Sequence, residues 1–187
     1  MRSVAAMPDI WTKLRTLPPV DPGGVARAAV LVPLYPDASG MVRLLLTKRP
    51  TDMRTHPGDI VFPGGRIEPG ESPVAAAIRE AWEEVRLPAE QVQVIGGLHP
   101  VTTRDRDNWI IPVVARIGRT EVLVPDPSEV EVILEPTIAE LLDESRWRTA
   151  DWMGTPLWFY DFPEGTLWGA TAFMVRQLLA VVRGTPH

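Results

Sequence analysis

The chain has 187 residues, 45% of them hydrophobic and 23% charged, with a formal net charge of -5, a pI near 5.2, no cysteine and three histidines. This length and apolar content suit one domain with one sizeable core. The missing cysteines exclude disulfides, zinc-thiolate sites and thiol catalysis, and the acidic balance argues against a nucleic-acid coat protein.

Residues 1–24 read as an N-terminal lead-in without assignment, with a short helix near 10–17 and a break at "LPPVDPGG". The domain proper is expected over 25–187. "VARAAVLVPLY" (25–35) is an apolar, partly β-branched run and reads as a buried strand. "PDASG" turns, and "MVRLLLTKR" (41–49) reads as its hairpin partner. Residues 50–61 look irregular, and Pro63-Gly64-Gly65 reads as a turn, with a second turn at Pro69-Gly70. Ser72 can cap a helix that opens on Pro73 and runs to about Val85, with Pro88 limiting its extension. "QVQVIGGL" and "WIIPVVARI" read as strands, 136–142 as a short helix, and "GATAFMVRQLLAVVRG" as a helix ending at Gly184. Helices packed on a sheet are predicted, a mixed α/β domain. No signal sequence or membrane span is visible, so a cytoplasmic protein without membrane or nucleic-acid partners is expected. A homodimer is compatible with the sequence, but no apolar stripe demands it.

The stretch "FPGGRIEPGESPVAAAIREAWEEVRL" (62–87) collects Glu71, Glu80, Glu83 and Glu84 around one Arg79. On a helical wheel, Val74, Ala77, Ile78, Ala81 and Val85 form one apolar stripe. Glu80 and Glu84 lie together beside it, one turn apart. Like charges at that spacing destabilise a bare helix by roughly 0.2–0.5 kcal/mol. Two readings stand: a solvated acidic face, or a site for a hard divalent cation, for which Mg²⁺ or Mn²⁺ fits better than Zn²⁺.

The spacing Gly65, five residues, Glu71, seven residues, Arg79-Glu80, two residues, Glu83-Glu84 resembles the Nudix box. One position departs: Arg86 stands where the box usually has Gly. The resemblance implies a Nudix fold, an α/β/α sandwich with a mixed β-sheet, and metal-dependent hydrolysis of a nucleoside diphosphate linked to another group. It implies that Glu80 and Glu84 are the primary metal ligands. Glu83 would be a further ligand or would orient the attacking water, and the Gly64 carbonyl would complete the metal shell. Arg79 and Glu71 would form an internal ion pair that supports the catalytic loop.

The preceding "LLTKRPTDMRTHPGDIVFPGG" (45–65) resembles the extra motif of the coenzyme A diphosphatase branch. Lys48, Arg49, Arg54 and Phe62 are thereby candidates for substrate binding, with a coenzyme A-like small molecule as partner. The basic side chains could equally be surface charges pairing with Asp52 or Asp59. "DPSEVEVILEP" (126–136) resembles another segment of that branch, in which Glu129 is either the catalytic base or an exposed loop acid. "LWGATA" (167–172) also matches it, with Trp168 expected to pack the last helix. Trp109 could stack on a base or pack. Rival substrates are ADP-ribose, a dinucleotide or a nucleoside triphosphate, and the rival class is a Nudix-fold binding module without hydrolysis.

Overall fold

The computed structural model describes residues 9–22, 24, 26–102, 108–118, 122–152 and 154–185, so the first eight residues of the lead-in lie outside it. In chain order the elements are α1 (Ile10–Leu14), β1 (Ala28–Pro36), β2 (Val42–Leu44), β3 (Leu46–Lys48), β4 (Ile60–Val61), β5 (Gly64–Arg66), α2 (Pro73–Val85), β6 (Val92–Gly97), β7 (Val101–Thr102) and β8 (Trp109–Ile117). Then come β9 (Val132–Leu134), α3 (Ile138–Leu141), β10 (Trp147–Trp152), β11 (Thr155–Phe162), β12 (Gly165–Leu167) and α4 (Gly169–Arg183).

The main sheet is built on β1. One edge of β1 pairs parallel with β8, from Ala28 against Ile110 to Leu34 against Arg116. Its other edge pairs antiparallel with β5 at residues 28–30 and with β2 at residues 34–36. β6 and β7 add antiparallel to β8. Smaller antiparallel sheets run β4-β3-β9 and β10-β11-β12.

Side chains alternate across a strand, and here the alternation separates two cores. Ala29, Leu31 and Tyr35 of β1 and Ile111, Val113 and Ala115 of β8 share a cluster with Ala76, Ala77, Ala81 and Val85 of α2. Val32 and Leu34 of β1 and Val114 of β8 face the opposite way, into a cluster with Met174, Val175, Leu178 and Leu179 of α4. Helices therefore cover both faces of a mixed sheet, the expected α/β/α sandwich. Ile10 and Leu14 of α1 join the second cluster, and Leu14 is fully buried, so the lead-in contributes to the core. Beyond α1, Gly97 donates its N–H to the Pro18 carbonyl at 2.9 Å.

Three expectations need correction. The run 41–49 is not one strand: β2 ends at Leu44, and after Leu45 the chain enters a different sheet as β3. The sequence carries no mark of such a switch, because Leu44, Leu45, Leu46 and Thr47 are all buried through it. Gly64 and Gly65 do not turn but extend, since β5 uses them to pair with Val30 and Ala29. A Cβ on Gly64 would stand 2.5 Å from the Ala29 carbonyl oxygen and 2.6 Å from Val30 Cα. Glycine is needed there for close approach of two backbones. Finally, Trp168 is not a buried packing residue of α4: it caps the start of the helix and is 40% exposed.

Candidate active site

α2 begins as its sequence demands. The Ser72 hydroxyl accepts the Ala75 N–H at 3.2 Å, and Pro73 occupies the first turn. Its buried face is Pro73, Ala76, Ala77, Ala81, Glu84 and Val85. The wheel placed Ile78 in that face; the structure leaves Ile78 half-buried and buries Ala76 instead. Small side chains let α2 lie close to β1, and the rotation carries Glu84 from beside the stripe into it.

Glu84 is only 3% exposed, and its Oε2 is buried without a hydrogen-bond partner. Burial, and secondarily the charge of Glu129, push its carboxyl up to about 8. A backbone hydrogen bond from Gly64 and the charge of Arg49 act in the opposite sense, and Glu80 adds to the repulsion. Acids are almost never fully buried unless paired. An ionised Glu84 therefore calls for a cation beside it.

Glu80 lies over the chain at Gly65. A Cβ there would meet the Glu80 carboxyl carbon and Oε1 at 2.5 Å each, so the bare glycine is the cradle for this carboxylate. Burial raises the Glu80 pKa, while the neighbouring Arg79 opposes the rise. Arg79 donates from Nε and Nη2 to the two oxygens of Glu71, each at 3.0 Å. Its Nη2 also reaches the Arg66 carbonyl at 2.9 Å, and Nη1 reaches Glu80 Oε1 at 2.9 Å and Glu83 Oε2 at 3.3 Å. The forked pair holds Glu71 below the usual carboxylate range. Arg79 thus stitches the 66–71 loop to the helix, the supporting role expected of it.

Among the described residues, no three acidic or histidine side chains stand close enough, as they lie, to enclose an ion. Glu80 and Glu83 are both drawn onto Arg79. The donor set is nevertheless right for a hard cation: it is all oxygen, close to one orphaned buried carboxylate oxygen, and shaped by a glycine cradle.

Arg49, directly after β3, is the basic residue that the fold brings to the carboxylates. Its charge acts on Glu84, and its Nε is buried without a partner. Its N–H closes the 49–59 loop on the Asp59 carbonyl at 2.9 Å. Arg54 stands exposed on that loop. The other two residues suggested by the same motif are engaged elsewhere. Lys48 Nζ is held by Glu131 Oε1 at 2.8 Å. Phe62 is 1% exposed and packs in the core, so its ring offers no surface to a ligand. Asp59 also accepts from the Trp168 indole at 3.2 Å, which fastens the loop to the start of α4. Trp109 is 37% exposed at the start of β8.

Glu129 is half-buried and acts electrostatically on both Glu80 and Glu84. The loop that carries it is docked on the exit of α2. Asp126 N–H donates to the Glu84 carbonyl at 2.8 Å and Val124 N–H to the Val85 carbonyl at 3.1 Å. These carbonyls end a helix and would otherwise lack partners. This docking is invisible in the sequence, because it depends on backbone groups with no side-chain signature.

A family model described as the NUDIX domain matches residues 25–165. The chain is 34% identical over 161 residues to a protein of Photorhabdus laumondii named an uncharacterized Nudix hydrolase, NudL, covering 83% of this chain and 84% of that one. It is 37% identical over 157 residues to the NudL of Enterobacter sp., covering 81% and 80% respectively. A Nudix hydrolase structure from M. smegmatis, RenU, shares the fold with a TM-score of 0.61 at 22% identity, over 87% of this chain and 88% of that one. With the box residues gathered on β5, the loop that follows it and the second half of α2, and relatives matched along four fifths of its length, the chain belongs to the Nudix hydrolase family.

Proposed function

We propose that this hydrolase cleaves the diphosphate of coenzyme A, or of an acyl derivative, to 3′,5′-ADP and 4′-phosphopantetheine or its acyl form. The observation that carries the reading is a pair of unpartnered buried atoms, the Arg49 guanidinium Nε and the Glu84 carboxylate Oε2, with the Arg49 charge acting on Glu84. A metal-bound diphosphate supplies both missing partners, a cation for Glu84 and an anion for Arg49.

Glu80 and Glu84 would hold Mg²⁺ or Mn²⁺, with Glu83 and the Gly64 carbonyl as further donors. When bound, the ion neutralises diphosphate charge and lowers the pKa of a coordinated water. Glu129 takes the proton as the water oxygen bonds to phosphorus, and the phosphorus–oxygen anhydride bond breaks, releasing the second phosphate group. Arg79 keeps Glu71 and the loop in place and does not touch the substrate. Arg49 holds a diphosphate oxygen. Arg54, exposed on the same loop, supplies charge for the 3′-phosphate that distinguishes coenzyme A from most nucleoside diphosphates.

The test is a panel of coenzyme A, dephospho-coenzyme A, ADP-ribose and diadenosine polyphosphate, each with Mg²⁺ or Mn²⁺. Coenzyme A should have the highest kcat/KM, and Arg54→Ala should erase its advantage over the dephospho form. Equal turnover of the two forms by the unaltered protein would overturn the coenzyme A reading while leaving a diphosphatase.

A further inference from the structure

The position at which this chain departs from the box is Arg86, and its surroundings give the departure a use. Arg86 ends α2 in the left-handed conformation, with φ 56° and ψ 36°. Glycine adopts this without strain; arginine does not. The side chain that accepts the strain reaches across to Asp126, with Nη2 3.6 Å from Oδ2. Asp126 is the organising residue of the loop that carries Glu129. Its Oδ1 accepts from the Ser128 N–H at 2.9 Å and the Ser128 hydroxyl at 2.6 Å. Its carbonyl accepts the N–H groups of Glu129 at 3.0 Å and Val130 at 2.8 Å, and its own N–H is bonded to the Glu84 carbonyl. One residue therefore touches the backbone of Glu84, the backbone of Glu129 and the side chain of Arg86.

We propose that Arg86 and Asp126 form a positioning pair that fixes the Glu129 carboxylate relative to Glu80 and Glu84. The proposal rests on Glu129 acting as the base, as set out above. The Asp126 carboxylate closes the turn on one side with Ser128 and anchors it on the other to the helix exit with Arg86. The glycine usual at the helix exit would supply the first turn geometry but no anchor. Glu129 acts on both metal-binding candidates, so a small swing of its loop changes the distance over which a proton must move. Displacement of a catalytic group by about 1 Å lowers rates on the order of 10²-fold.

The test is a double-mutant cycle with Arg86→Gly and Asp126→Asn, alongside Glu129→Gln, read as kcat, KM and the Mg²⁺ concentration for half-maximal rate, with thermal unfolding of each variant. Asparagine retains the acceptor for Ser128 and removes only the charge facing Arg86. Arg86→Gly relieves the backbone strain, so loss of rate cannot be assigned to a damaged fold. Glu129→Gln should lower kcat roughly 10²-fold or more. Arg86→Gly and Asp126→Asn should each lower kcat about three- to tenfold, a smaller swing than 1 Å. KM and Mg²⁺ dependence should stay unchanged, and the double variant should be no slower than the slower single one. Arg86→Lys should recover part of the rate. If Glu129→Gln is slow but both single variants match the unaltered protein, or if their effects multiply, the positioning pair is disproved and Glu129 stands. If Glu129→Gln is itself at full rate, the assignment of the base fails and the pair falls with it.

Discussion

Two neighbouring glycines allow the chemistry of the site to be separated from its stability. A Cβ at Gly65 would stand 2.5 Å from the Glu80 carboxyl carbon and Oε1 and 2.7 Å from Oε2. Comfortable carbon contacts begin near 3.5 Å, so the carboxylate must retreat by about 1 Å. It sits at the end of a flexible side chain, and its retreat should cost the fold less than about 0.5 kcal/mol, or about 2 °C in Tm. If Glu80 is a metal ligand, that same displacement should lower kcat/KM on the order of 10²-fold and raise the Mg²⁺ concentration needed for half-maximal rate. At Gly64 the identical methyl meets backbone, the Ala29 carbonyl oxygen at 2.5 Å and Val30 Cα at 2.6 Å. Neither can move without opening the β1–β5 pairing, so Gly64→Ala should cost about 1–3 kcal/mol and lower Tm by roughly 2–10 °C. The assay is steady-state diphosphate hydrolysis against Mg²⁺ concentration, with thermal unfolding of both variants. Gly65→Ala with full kcat/KM and unchanged Mg²⁺ dependence would refute the placing of Glu80 at the metal.

Three further outcomes are expected. Arg86→Gly should raise Tm by about 1–3 °C, because relief of a left-handed arginine, about 1 kcal/mol, exceeds the return from its exposed ion pair with Asp126; a lower Tm would contradict this. In metal-free protein, the raised Glu84 pKa means that the folded state keeps a proton the unfolded chain releases, so stability falls as pH rises from about 4.5 towards about 8. Glu84→Gln should escape that penalty: it should match the unaltered protein near pH 4.5 and exceed it by on the order of a few kcal/mol at pH 8, in chemical denaturation with a chelator. Added Mg²⁺ should stabilise only the unaltered protein. Thr137→Ala removes the hydroxyl that accepts the Glu140 N–H at 3.1 Å in the capping box of α3 and should cost about 1 kcal/mol at neutral pH. The Thr137 backbone N–H and, secondarily, its hydroxyl hold Glu140 below its usual pKa; only the hydroxyl's share is lost in the variant, so the gap between the two unfolding curves should narrow, without closing, as pH falls through that lowered value.

The helix that carries the site was legible because its signals are local. Ser72 caps it, Pro73 opens it, and the observed span Pro73–Val85 is the expected one. The central strands and α4 were legible for a similar reason, as long apolar runs with clear breaks. What escaped was set by distant partners. Nothing within "REAWEEV" says that Glu84 is buried rather than alongside the buried stripe, since that follows from how closely the alanines let α2 approach β1. The hairpins of β10 to β12 escaped because their aromatic residues are interleaved with charges: Arg148 pairs with Asp161 across β10 and β11, and Trp147 is buried beside Tyr160. Such a half-exposed sheet shows neither an unbroken apolar run nor a clean alternation. Among the suggested substrate residues, charge pattern alone could not separate Arg49, whose charge acts on Glu84, from Lys48, which is spent on Glu131.

The bond from Gly97 to Pro18 bears on the outer edge of the main sheet. β6 lies at the rim of the main sheet, where unpaired amides invite a strand from another molecule. Residues 17–20 lie against that rim at Gly96 and Gly97, leaving no room for even a methyl group at Gly96. Pro18 and Pro19 have no N–H to offer to a further strand, so the added segment ends the sheet instead of extending it. The stretch that looked like a mere approach to the domain thus covers a sheet edge, and protein lacking residues 1–22 should expose the β6 amides at Gly96 and Gly97 and aggregate more readily.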